Sequence, residues 1–276
     1  MTSPEETPSW EAEALMATLA EIAPDAPTAC VGWTVRNILA HLTAGTKEVA
    51  DLIELKVNHG RQRPTRGFEE REAPFLALED AELIGAMAAE AARMTAAVSA
   101  LAATGDPTFL FTGTNLTVAQ LATHLRSEMT LHRWDIVGDD DLSEQLLIQA
   151  DLTRHAVDVL DCMPVLYEAP EWRAKLAGLT GELRIVLRSP NTTDIVYERA
   201  PAGTRFEIVQ NGPATGDAVV TTDIANRYLT IWGRRSADRP LTVDTDTVSA
   251  AVVESVLWGA GTPWAPGRTR HGLSAR

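Results

Sequence analysis

Cysteine is nearly absent from this chain: there are two, Cys30 and Cys162, in neither a Cys-x-x-Cys nor a zinc-finger spacing. That argues against a disulfide-stapled secreted fold and predicts a reduced, cytoplasmic protein with buried thiols. Basic charge is also short. Against 24 Lys and Arg stand 38 Asp and Glu, a formal net charge of -14, whereas a nucleic-acid binder needs a basic face. A negative balance favours solubility and does not identify a ligand. Long apolar runs are missing as well: nowhere do ~18 apolar residues follow one another, so no membrane span is expected. The polar, acidic residues 1–8 do not resemble a signal peptide.

What is present is a 45% hydrophobic content spread over 276 residues, enough for one large domain or two ordinary ones. Apolar spacing near 3.6 dominates the first part and predicts helices over residues 9–22, 35–58, 80–103, 118–137 and 143–167. Residues 60–74 carry Arg61, Arg63, Arg66, Glu69, Glu70, Arg71 and Glu72 among Pro and Gly, and read as a solvated loop or as a long loop covering a site. Residues 105–113 break the next pair of helices. After Pro170 the pattern shortens and becomes β-branched, predicting strands over 183–188, 194–198, 205–210 and 218–222, with turn signals at Pro190-Asn191, Pro201-Ala202-Gly203 and Asn211-Gly212-Pro213. A helix over 223–232, a strand over 241–244 and a last helix over 247–257 follow. The expected fold is α+β in two domains, a helical bundle over residues 1–170 and a small α+β domain over 171–276.

The most informative stretch is Glu128-Met129-Thr130-Leu131-His132-Arg133-Trp134-Asp135. A four-residue step turns a helix by only ~40°, so Glu128 and His132 share one face and present two kinds of metal ligand together. A catalytic zinc usually takes three protein ligands, so a third must come from elsewhere. Gly32-Trp33-Thr34-Val35-Arg36-Asn37-Ile38-Leu39-Ala40-His41-Leu42 offers one, on a helix that Thr34 can cap. In register with it runs Leu116-Thr117-Val118-Ala119-Gln120-Leu121-Ala122-Thr123-His124-Leu125, matching Thr34 with Thr117 and His41 with His124. Two such helices side by side could aim His41 at the Glu128/His132 stripe, as helical bundles do when they build metal sites. Taken alone, each histidine has a plainer reading, a core imidazole satisfied by a backbone carbonyl.

The W-T-V-R-N-I-L-A-H-L segment together with E-M-T-L-H-R-W-D resembles the mycothiol-dependent maleylpyruvate isomerase family, part of the wider DinB-like metalloenzymes. The resemblance implies that His41, Glu128 and His132 bind a divalent metal, zinc or another, and that mycothiol is the thiol cosubstrate. It also implies that the thiol sulfur meets the metal and adds to a small electrophile such as maleylpyruvate, as isomerase or S-transferase. A hydrolase using metal-activated water and a non-catalytic small-ligand-binding protein are the alternatives. The order of strands, helix, Trp232-Gly233-Arg234-Arg235, strand and helix is similar to the sterol-carrier-protein-like carboxy-terminal domain of the same family. That likeness assigns a cleft arginine to Arg234, with Arg235 its competitor, where a guanidinium could hold a substrate carboxylate. The cleft between domains is then where thiol and acceptor are expected.

Four further residues stand near these motifs. His124 lies one turn before Glu128 and is a fourth ligand or a core residue. Asp135 is placed either to accept the spare N–H of His132 or to pair with Arg133. Trp33 and Trp134 read as packing between bundle helices. His59, His155 and His271 have no motif around them and are assigned no role.

Overall fold

Thr34 and Thr117 start two helices in the same way. In the computed structural model, which describes residues 9–162, 178–200, 203–245 and 247–259, the amide of Asn37 donates to the Thr34 hydroxyl at 3.4 Å, while the Thr34 amide donates to the Asn37 side chain at 2.8 Å. Thr117 and Gln120 repeat the reciprocal pair at 2.9 and 3.1 Å. Each box satisfies donors that a helix start leaves open. The register repeat read from the sequence is therefore a repeat of helix starts.

Helix α1 (Trp10–Glu21) is capped by Ser9, and α2 (Val35–Val57) buries Ile38, Leu39, Leu42, Val49, Leu52 and Ile53. Then come α3 (Phe68–Leu76) and α4 (Asp80–Ala102), both packed on α2, and α5 (Val118–Val137), which packs on α1. The expected loop over residues 60–74 is thus partly wrong, because α3 begins at Phe68. Its signals were masked by polarity and by Pro74, whose missing N–H argued against a helix. Between α4 and α5 lies a hairpin, β1 (Thr108–Phe111) with β2 (Thr114–Thr117), where only a break was expected. Its two turn residues, Thr112 and Gly113, have φ of 46° and 88°, the conformation a two-residue hairpin turn needs. The expected helix over 143–167 is split into α6 (Asp141–Leu147) and α7 (Ala150–Cys162). At the split, Gln149 Nε2 donates to Leu146 O and to Glu11 Oε1, both at 3.0 Å. No glycine or proline marks that break. The rest of the expected helix and the proposed domain boundary fall largely outside the described residues.

Strands β3 (Leu183–Arg188), β4 (Ile195–Ala200), β5 (Gly203–Ile208), β6 (Ala218–Thr222) and β7 (Leu241–Thr245) form one sheet in the order β5-β4-β3-β6-β7. Only β3 and β6 run parallel. Helices α8 (Ile224–Ile231) and α9 (Ala250–Trp258) cover one face. The sheet's period of two sends Leu183, Ile185 and Leu187 to that face, while Val186 meets Val196 and Ala214 on the other. The first cluster also takes in Leu131 and Trp134 from α5, Leu147 from α6 and Leu152, Ala156 and Val157 from α7. Helical and sheet halves therefore share one apolar core, and Ser127 and Tyr228 join their hydroxyls across it at 2.6 Å. Among the described residues no helix is long and apolar enough to cross a membrane.

Candidate metal centre

His41 lies two turns into α2, and Glu128 and His132 lie late on α5. The packing brings together the three side chains that the sequence singled out. Ligand-type atoms of His41, Glu128 and His132 all lie within 4.8 Å of one another. Nε2 of His132 is 3.5 Å and Nε2 of His41 is 3.8 Å from the same oxygen, Glu128 Oε2. Donors around a tetrahedral ion with bonds of ~2.0 to 2.1 Å sit about 3.4 Å apart, so these spacings fit one divalent ion after small adjustments.

Each imidazole is held from behind by a carboxylate. His41 Nδ1–H donates to Glu72 Oε1 at 2.6 Å, and His132 Nδ1–H donates to Asp135 Oδ2 at 2.9 Å. These bonds leave Nε2 of both rings as the atom free to coordinate, the arrangement that orients histidines toward metals. The His41 ring is also wedged between Trp33, 5.3 Å away, and Phe68, 5.6 Å away and nearly parallel. Trp134 instead donates its indole N–H to Asp139 at 3.0 Å. Burial disfavours charge on Glu128, yet hydrogen bonds with His132 and His41 outweigh it and hold the carboxyl well below its usual range. For His132, burial opposes the cation, but hydrogen bonds with Asp135, Cys30 and Glu128 raise it well above an ordinary imidazole.

Glu72 is the residue of the candidate centre that sequence reasoning missed. It sits on α3, in the stretch read as a loop, and its signal was a carboxylate one helical turn from Phe68 and Phe75.

Asp135 takes the first of its two expected roles, since Arg133 pairs with Asp140 and Ser143. Its other partner is Arg234, whose Nε and Nη2 donate to Oδ1 and Oδ2 at 2.8 and 2.7 Å. Arg234, expected to hold a substrate carboxylate, thus makes a bidentate contact with a carboxylate of the protein. That salt bridge holds the Asp135 carboxyl below its normal range against the opposing effect of burial. Arg235 lies over the Trp258 ring at 5.0 Å. A cavity of about 400 Å³ between the halves is bounded by Ala29, Trp134, Arg234, Arg235 and Trp258. Cys30, buried, brings its sulfur within 4.8 Å of His132 and Asp135 ligand atoms, a second possible donor group. The fixed charge of Arg234 on Asp135 disfavours a cation there.

His124 does not join the Glu128 group. Its Nδ1 is 3.2 Å from Nε2 of His155 on α7, and Phe111 packs edge-on against it. Burial keeps both rings neutral and lowers His155 to about 4, with His124 adding to the shift and Glu128 and Asp151 opposing it. Arg71 contributes to the lowering at His124, and Glu128 opposes it. Because both values fall in the folded state, the unfolded chain takes up protons first as the pH drops. Stability is therefore complete above pH ~6.5 and lost between there and about 4, by at most about 3 kcal/mol for His155. Urea titrations of metal-free protein at pH 7 and 4.5 should show this loss, and it should shrink in His155→Gln. An equal loss in both proteins would move its source elsewhere.

Residues 9–137 match the family model of the mycothiol maleylpyruvate isomerase N-terminal domain. Most of the helical half is thus similar to that family's N-terminal domain. Two solved structures of a mycothiol-dependent maleylpyruvate isomerase, one of them a histidine-to-alanine variant, superpose on this chain with a TM-score of 0.54. The alignment covers 88% of this chain and 96% of each of theirs at 16% identity, a likeness of fold extending through the sheet half. No curated protein sequence matches the chain at the same significance. Within the matched stretch, α2 and α5 carry the ligand-type residues and α3 supports one of them.

Proposed function

We propose that this protein is a metal- and mycothiol-dependent isomerase acting on maleylpyruvate or a closely related small electrophile. The observation that supports this most is the convergence of two imidazole Nε2 atoms on Glu128 Oε2, each ring backed by its own carboxylate, inside a domain of this family. His41, Glu128 and His132 would hold the ion. Once bound, a divalent metal supplies the Lewis acidity that ionises a thiol at neutral pH.

The chain's own contribution is orientation. Glu72 and Asp135 fix which imidazole nitrogen carries the proton, Trp33 and Phe68 immobilise the His41 ring, and Arg234 balances Asp135. In this reading Arg234 is a positioning residue acting through Asp135 and His132. In the reaction, the thiolate adds to the cis double bond of the acceptor, the resulting single bond rotates, and elimination returns the thiol with trans geometry. An acceptor that carries a leaving group on a saturated carbon would instead exchange that group, released as an anion, for the thiolate sulfur, which makes S-transfer the variant chemistry of the same site.

Metal analysis of the purified protein followed by an isomerisation assay tests this. Turnover of maleylpyruvate should require mycothiol and vanish after chelation. Turnover without any thiol would favour activated water and hydrolysis; bound metal with no turnover of any acceptor would favour a binding protein.

A further inference from the structure

Among the described residues, Arg71 is a buried cation without a paired anion. It is 9% exposed, its Nε is shielded from solvent without a hydrogen-bond partner, and among the described residues no carboxylate lies within 4 Å of its guanidinium. Arg133 and Arg227, the other two buried arginines among the described residues, also leave Nε unpaired, but each places a terminal nitrogen on a partner: Arg133 on Asp140 and Ser143, Arg227 on the carbonyl of Thr193. Nearby acids that sense the Arg71 charge are Glu72, Glu48 and Glu128. All three are engaged elsewhere, Glu72 with His41, Glu48 with Arg63 and Arg66, and Glu128 with the two histidines. Burying a charge without a partner is expensive by several kcal/mol in general, and a buried, unpaired cation beside a candidate centre marks a functional-site candidate.

The cation is also held still and close to the centre. Arg71 lies in the first turn of α3, and its guanidinium carbon is 4.4 Å from the centroid of Phe68, the ring that stacks on His41. The segment leading into α3 is clamped by Arg63 and Arg66, both bonded to the fully buried Glu48. An uncompensated fork of donors thus sits one aromatic ring away from the His41/Glu128/His132 group. Guanidinium geometry matches a carboxylate with two parallel hydrogen bonds.

We propose that Arg71 is the receptor for a carboxylate of the small molecule that occupies the His41/Glu128/His132 site, so that the acceptor is an anionic electrophile and uncharged analogues are excluded. This rests on the small-molecule reading of that site given above. It differs from the expectation for Arg234, whose donors are already paired.

Isothermal titration with maleate tests it, using zinc-loaded wild type, Arg71→Gln, Arg71→Met, which keeps an apolar stem on Phe68, and Arg71→Lys. Maleamide serves as the uncharged probe. Wild type should bind maleate saturably and maleamide far more weakly. Arg71→Gln and Arg71→Met should lose maleate affinity by about ten- to a hundredfold, with zinc content unchanged and thermal stability equal or higher, since an unpaired charge has been removed. Arg71→Lys should recover affinity only in part. Wild-type affinity for maleate in the folded Arg71→Met protein, or no saturable maleate binding to wild type, overturns the proposal. Arg71-dependent maleate binding in a protein that takes up no metal would leave it standing and defeat the metal reading instead.

Discussion

His132→Ala, His41→Ala and Glu128→Ala should each bind a divalent ion roughly a hundred- to a thousandfold more weakly than wild type, with turnover falling to background. Zinc sites of four protein ligands are worth about 10 to 16 kcal/mol, so each ligand carries on the order of 3, and 1.4 kcal/mol is a decade of affinity. The three donors stand 3.5 and 3.8 Å apart across Glu128 Oε2, so removing any one leaves a pair unable to enclose an ion. His124→Ala is the control. It sits on the same helix one turn before Glu128, but its ring is turned to His155. Competition with a chromogenic chelator measures the affinities directly. Equal losses in His124→Ala and His132→Ala would mean that the ligand set has been drawn wrongly.

Arg234→Ala should act on both stability and metal affinity. Asp135 is 2% exposed, and without the guanidinium it becomes a buried carboxylate left, among the described residues, with His132 as its charged partner. Breaking such a pair from one side typically costs about 3 to 5 kcal/mol, and loosening the carboxylate behind a metal-ligating histidine weakens binding by about ten- to a hundredfold. Arg234→Lys should rescue little, because one ammonium cannot reproduce the two-pronged contact. Should Arg234→Ala be too unstable to purify, the paired variant Asp135→Asn with Arg234→Gln removes both charges together and should fold while still binding metal weakly. Arg235→Ala should be near neutral, its guanidinium being 43% exposed beside Trp258. Wild-type melting and metal affinity in Arg234→Ala, with a loss confined to acceptor turnover, would return Arg234 to the substrate.

What the sequence made legible follows local physics. Capped helices announce themselves through Thr34 and Thr117, and β3 and β6 through runs of β-branched and aliphatic residues, so these elements appear with the expected bounds. The one-turn spacing of Glu128 and His132 needs only helical geometry. What stayed hidden depends on partners distant in the chain. Glu72 looks like one acid among several in a polar segment until α3 packs its inner face on α2 and buries it. His155 has no motif, and its pairing with His124 exists only because α7 crosses α5. Arg234 was expected to hold a carboxylate of the acceptor, and its two-pronged pairing with Asp135 became visible only in the fold.

The Asp135–Arg234 bridge has one more consequence. Arg234 follows α8 in the sheet half, and Asp135 lies at the end of α5 in the helical half, so the scaffold of the candidate metal centre is closed by a contact between the two. Coupling free energies are reciprocal: whatever the bridge adds to the grip on the ion, the ion must add to the grip of one half on the other. On the proposed reading, a bound metal would be a latch as well as a reagent. Amide hydrogen exchange in α8 should slow when the ion is added, although no residue of α8 belongs to the candidate ligand set.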